Sequence, residues 1–142
     1  MNTQATRLFV YGSLRVGFRD PAYSYLSKYF HLLGEGTVQG KFYFNGSHPV
    51  AVPAEDEQFI TGDLYELNNP DELKWVMVQL DDYEGLNVEP GEKPLYRREL
   101  VAVLINDHPS MAWIYWYNEN VADMIELDAA AVSEYMQQQK KT

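Results

Sequence analysis

The 142-residue chain has no cysteine. That excludes a disulfide framework and any thiolate nucleophile, and it fits a reducing compartment. Histidine is scarce: His31, His48 and His108 stand far apart and lack ligand-spaced partners, so no metal site is expected. Positive charge is also short. Eleven Lys and Arg face twenty-one Asp and Glu, for a formal charge of -10. Nucleic acids are held by cationic patches that displace counterions, so neither DNA nor RNA is an expected partner. No apolar run approaches the length that crosses a bilayer, and MNTQATRLFV has no apolar segment of signal-peptide type ahead of the first strand. The expectation is a cytoplasmic protein without a membrane partner.

Apolar residues make up 46% of the chain and charged residues 23%, a globular balance. The length suits one domain, 1–142, with a core of its own. Eleven tyrosines favour strands. Leu8–Tyr11 reads as a first strand, and 21–30 as a short helix with Asp20 as N-cap and Pro21 at its first position. Thr37–Phe44 and Phe59–Leu67 read as strands with central glycines, Gly40 and Gly62. These mark a bulge or bend and hence a tightly curved sheet such as a small barrel. Asn69-Pro70 starts a helix from Asp71 to about Glu84, with Leu73, Val76, Met77 and Leu80 on one face. Tyr96–Ile105 and Met111–Tyr117 form a hairpin around NDHPS, and Asp128 caps a terminal helix over 128–138. Adjacent late strands argue for an α+β class with a largely antiparallel sheet.

Two local features carry chemistry. The first strand stops at Gly12, opening the stretch Gly12-Ser-Leu-Arg-Val-Gly17. This has the spacing of a phosphate loop, but Phe18 and Arg19 occupy the places of its lysine and hydroxyl, so nucleotide hydrolysis is set aside. Backbone amides around Gly12 can still form a concavity for a carboxylate or oxyanion, or the turn simply ends a strand. Ser13 lacks both a nucleophile elbow and a histidine to activate it. The second feature is Asp81-Asp82-Tyr83-Glu84-Gly85. With Leu73 at zero and about 100° per residue, Asp81 falls at about 80°, Asp82 at about 180° and Glu84 at about 20°, on the apolar face. Burial and the negative end of the helix dipole both push such a carboxyl upward, the tuning a general base needs. If the helix instead ends at Asp82, Glu84 is a solvated loop residue.

Tyr11-Gly12-Ser13-Leu14-Arg15, Leu80-Asp81-Asp82-Tyr83-Glu84-Gly85 and Tyr96-Arg97-Arg98, in that order, resemble the motifs of the gamma-glutamylcyclotransferase-like superfamily. The closer likeness is to the branch containing gamma-glutamylamine cyclotransferase and small bacterial relatives. Gly36-x-x-x-Gly40 and Gly62-Asp63-Leu64-Tyr65-Glu66-Leu67 are similar too, and the resemblance runs from Leu8 to Tyr117. It implies a small mixed, mostly antiparallel β-barrel with flanking helices. It also implies release of 5-oxoproline from a small γ-glutamyl substrate, an amine or a peptide, without a cofactor. Glu84 would be the acid/base, and the turn Gly12, Ser13 and Leu14 would hold the glutamyl end. From residue type alone, Tyr11 and Tyr96 either line the pocket or pack in the core or barrel, and Arg15 either pairs with a carboxylate or is solvated. Residues 122–142 depart from the family pattern and form a divergent C-terminal extension. Two alternatives stay open on the same barrel: a non-catalytic binding module for a carboxylate metabolite, and an enzyme for a different amide or acyl group. Nothing in the sequence sets the oligomeric state.

Overall fold

The computed structural model describes residues 5–11, 27–46, 49–83, 86, 89–128, 130–132 and 134–135. These form strands β1 (Arg7–Val10), β2 (Phe30–Phe44), β3 (Pro49–Pro53), β4 (Phe59–Leu67), β5 (Tyr96–Ile105), β6 (His108–Tyr117) and β7 (Ile125–Leu127). A 3-10 turn (Pro70–Glu72) leads into helix α1 (Leu73–Tyr83). The strands run in the order β3-β2-β4-β1-β6-β5, and a β2–β5 pairing at Thr37 and Leu104 closes the ring. The result is a barrel of β2, β4, β1, β6 and β5. The β1–β6 pair is parallel and the other pairs are antiparallel. Closure removes the open edges that would otherwise template aggregation. The far end of β2 leaves the ring and pairs with β3 and β7.

Alternation along the strands sorts two cores. Phe9, Val38, Phe42, Ile60, Leu64, Val103, Ala112, Ile114 and Trp116 fill the barrel. Leu8, Val10, Tyr65, Leu67 and Tyr115 point outward and pack against Leu73, Val76, Met77 and Leu80 of α1. Strand β1 is thus buried on both faces, which explains its unbroken apolar run Leu8-Phe9-Val10. All four apolar residues on the expected face of α1 are buried, at about 1.5–3 kcal/mol each when burial is complete. The Asn69 side chain accepts the Asp71 amide at 3.0 Å and starts the 3-10 turn.

Several boundaries differ from the sequence expectation. Residues 27–29 are helical but Phe30 already opens β2, seven residues before the expected start, while 20–26 lie outside the described residues. His31-Leu32-Leu33 has no alternating pattern and exposes both leucines; pairing with β4, not local preference, makes it a strand. Gly40 and Gly62 sit in regular pairing, and the register shift of β2 falls at Leu32/Gly34 instead. The need for Gly62 is close approach. A Cβ there would stand 2.3 Å from the Val10 carbonyl oxygen and 2.6 Å from the Phe9 ring. The β5–β6 turn is tighter than NDHPS. Asn106 and Asp107, at φ 51° and 64°, make the whole loop, and β6 begins at His108.

Asp128 does cap a helical segment. Its Oδ1 accepts the Ala131 amide at 2.8 Å, and Val132 is buried in the barrel core. Among the described residues no helix is long and apolar enough to cross a membrane.

Candidate active site

Of the expected site residues, Tyr11 and Tyr96 are described; Gly12, Ser13, Leu14, Arg15 and Glu84 lie outside the described residues. The elements leading to both motifs are visible, and they converge on Tyr115. Strand β1 ends at Val10, and Tyr11 follows with its ring edge-on to Phe42 at 5.7 Å. The Tyr11 hydroxyl donates to the backbone oxygen of Tyr115. The Tyr115 side chain leaves the other side of β6, where its hydroxyl donates to Asp81 Oδ1 at 2.8 Å. Asp81 lies on α1, two residues before its last residue Tyr83. A single strand residue therefore ties the end of β1 to the end of α1.

Arg98 completes the cluster. Its Nε lies 3.3 Å from Asp81 Oδ1, and its guanidinium stacks over the Trp113 ring at 4.8 Å from the centroid. The Asp81 and Arg98 side chains are 18% and 26% exposed, so the pair is half-shielded from water and firmer than a free surface ion pair. Strand register explains the grouping. Tyr96 opposes Tyr117, Arg98 opposes Tyr115 and Leu100 opposes Trp113, so all six share one face of the hairpin. Tyr96 packs edge-on against Tyr117 at 5.8 Å. Arg97 points to the other face, where Nε meets Glu99 at 2.6 Å and Nη1 donates to Asn118 at 3.3 Å.

The helix end is itself closed by the Leu86 amide, which donates to the Asp81 backbone oxygen at 2.9 Å. A six-residue closure of this kind satisfies a terminal carbonyl. Asp81 thus anchors through both backbone and side chain. Its carboxylate is engaged by a hydroxyl and a guanidinium, which suits it to hold geometry rather than to shuttle protons. Among the described residues the buried acid is Asp63, 6% exposed, opposite Val10 on β4. Among the described residues no group of three or more His, Cys, Asp or Glu is placed to hold a metal ion.

Sequence reasoning missed Asp81 and Tyr115 as site residues. The wheel set Asp81 off the apolar face, and Tyr115 looked like one more aromatic in Met-Ala-Trp-Ile-Tyr-Trp-Tyr. The hairpin register would have found Tyr115, because a two-residue turn at Asn106-Asp107 sets it opposite Arg98. Arg98, part of the third motif, is partly buried and paired with Asp81.

The sequence matches the family described as gamma-glutamyl cyclotransferase, AIG2-like, over residues 8–136. No curated protein is a significant match by sequence. Solved structures share the fold. An uncharacterised protein from Pyrococcus horikoshii matches with a TM-score of 0.65 at 20% identity, over 96% of this chain and 98% of that one. An AIG2-like protein from Mus musculus matches with a TM-score of 0.61 at 20% identity, over 85% and 82%. YkqA from Bacillus subtilis matches with a TM-score of 0.64 at 22% identity, over 98% of this chain but only 44% of that longer chain. With a family match that takes in both motifs, the hairpin and the start of the terminal helix, the chain belongs to the AIG2-like gamma-glutamyl cyclotransferase family.

Proposed function

We propose that the protein is a γ-glutamyl cyclotransferase that releases 5-oxoproline from a γ-glutamyl amine or a small γ-glutamyl peptide. The observation that carries this reading is the Tyr115 bridge. It joins the elements that lead to the two family motifs, Tyr11 next to Gly12 in sequence and Asp81 three residues before Glu84. The nucleophile is the substrate's own α-amine, so a chain without cysteine needs none of its own.

The amine nitrogen attacks the γ-carbonyl carbon and a carbon–nitrogen bond closes a five-membered ring. Its proton passes to the Glu84 carboxylate. The same acid returns a proton to the leaving nitrogen as the old amide bond breaks. Backbone amides of Gly12, Ser13 and Leu14 hold the substrate carboxylate or the oxyanion. Arg15 offers a positive charge for that end. Tyr11 and Tyr96 wall the pocket and favour the folded, ring-closing conformer. The chemistry takes no cofactor and no metal, and the cysteine-free, acidic chain is suited to the cytoplasm.

The test is 5-oxoproline release from a panel of γ-glutamyl amines and dipeptides, with wild type beside Glu84→Gln. Product from wild type alone supports both reaction and base. Glu84→Gln turning over like wild type removes Glu84 from the mechanism. Ligand binding without any product favours a binding module for carboxylate metabolites.

A further inference from the structure

We propose that Asp81 is a positioning residue: with Tyr115 and Arg98 it holds the carboxyl end of α1 against the β5–β6 hairpin and so fixes where Glu84 stands. The inference rests on the cyclotransferase reading for the identity of the base, and on the described geometry for the clamp. Glu84 follows Tyr83 directly in sequence, three positions after Asp81. The last described turn of α1 has three ties to its surroundings at this one residue. The Tyr115 hydroxyl bonds Oδ1 at 2.8 Å, Arg98 Nε lies 3.3 Å from the same oxygen, and the Leu86 amide bonds the backbone oxygen at 2.9 Å. Arg98 is itself fixed from behind by the Trp113 ring.

The apolar anchors of α1 do not do this work alone. Leu73, Val76, Met77 and Leu80 seat the helix on the barrel, and just past it the partly buried Leu86 packs against the same cluster. Hydrophobic contact is non-directional and leaves the last turn free to pivot. A directional bond to a residue whose backbone is locked in β6 removes that freedom. Tyr115 also receives the Tyr11 hydroxyl, so the same residue sets the helix end relative to the end of β1. A displacement of one ångström at a reacting group can lower turnover by about 100-fold, so a clamp of this kind matters for rate more than for binding.

The experiment compares wild type, Asp81→Asn, Tyr115→Phe, Glu84→Gln and the Asp81→Asn/Glu84→Gln double variant. It follows 5-oxoproline release and backbone hydrogen exchange over 73–86. The expected result for Asp81→Asn is a fall in kcat of about 10- to 100-fold with a much smaller change in KM. In the Glu84→Gln background the same substitution then lowers turnover little further, because both act through one base. Exchange at Leu86 and in the last turn of α1 quickens while the first turn is unchanged. Asp81→Asn with wild-type kcat overturns the proposal. So does an undiminished loss in the Glu84→Gln background, which would mean that Asp81 acts independently of Glu84. Exchange at Leu86 unaltered by either Asp81→Asn or Tyr115→Phe overturns it whatever the turnover. A wild type that yields no product, with Leu86 exchange quickened in both variants, sinks the cyclotransferase reading and supports the anchoring of the helix end.

Discussion

The hydroxyl of Tyr115 donates to Asp81 Oδ1 at 2.8 Å across the seam between barrel and helix. A hydrogen bond to a charged acceptor contributes roughly 1.5–3 kcal/mol. Here the carboxylate keeps some water and its arginine, so the lower end applies. Tyr115→Phe preserves the ring in the outer core and should cost about 1–2 kcal/mol in urea unfolding. Asp81→Asn should cost a similar amount, and the double variant clearly less than the sum, since both remove one contact. Strict additivity would mean that the two side chains do not interact in solution.

Arg98 acts on Asp81 through charge and on Trp113 through contact. Arg98→Lys keeps the charge but loses the planar stack. It should cost under about 1 kcal/mol. Arg98→Ala also uncovers the Trp113 ring, whose face the arginine shields, and should cost more. The charge component weakens with salt, so the stability gap between wild type and Arg98→Ala should narrow at about 1 M salt, where the Debye length is about 3 Å. A gap that is constant in salt would assign the whole effect to packing.

Much of this arrangement could be read from residue order, and the remainder fails for identifiable reasons. The buried face of α1 was legible because Leu73, Val76, Met77 and Leu80 repeat at helical spacing. The curved sheet was legible from Gly40 and Gly62, although both serve close approach rather than bulges. The first half of β2 was not, because His31 to Gly36 owes its strand to β4 and carries no period of its own. Strands β3 and β7 were not, being short pieces that pair with the part of β2 outside the ring. At the site, residue spacing singled out Glu84 by an angle on a wheel. The angle could not register that a tyrosine from a distant strand reaches over to Asp81. That contact depends on sheet register, which a helix pattern does not contain.

Gly62 lies on β4 where an added Cβ would run into Phe9 and Val10 of β1. A methyl group there would meet the Val10 carbonyl oxygen at 2.3 Å, and that oxygen is backbone that no rotamer change can move. Gly62→Ala should therefore cost at least the 1–3 kcal/mol or so typical of overpacking, and should loosen the β1–β4 pairing next to Tyr11. Gly46 provides the control, since a methyl group there meets nothing within 4 Å, although its φ of 95° adds backbone strain. Thermal melts of the two alanine variants should rank Gly62→Ala well below Gly46→Ala. The reverse order would show that steric approach at Gly62 is relieved by strand movement.

Among its described residues the terminal helical segment packs on the barrel core through Val132 and Tyr135, so its cap should matter out of proportion to its exposure. Asp128 is exposed, yet its Oδ1 satisfies the Ala131 amide, and its backbone oxygen accepts the Val132 amide at 3.1 Å. Val132 enters the barrel core, and Tyr135 stacks edge-on to Phe44 at 6.1 Å. Asp128→Ala removes the side-chain bond and should cost about 0.5–2 kcal/mol, while Asp128→Asn, which keeps the acceptor, should cost little. Val132→Ala loses two methyl groups' worth of burial, roughly 1.5 kcal/mol. If the segment docks as a unit, Asp128→Ala and Val132→Ala should both quicken hydrogen exchange at Ala131 and Val132. Exchange on β1 and β4 should stay unchanged in both. Faster exchange throughout the barrel in either variant would instead make this segment part of the global folding unit, because removing the cap would then open the core it covers.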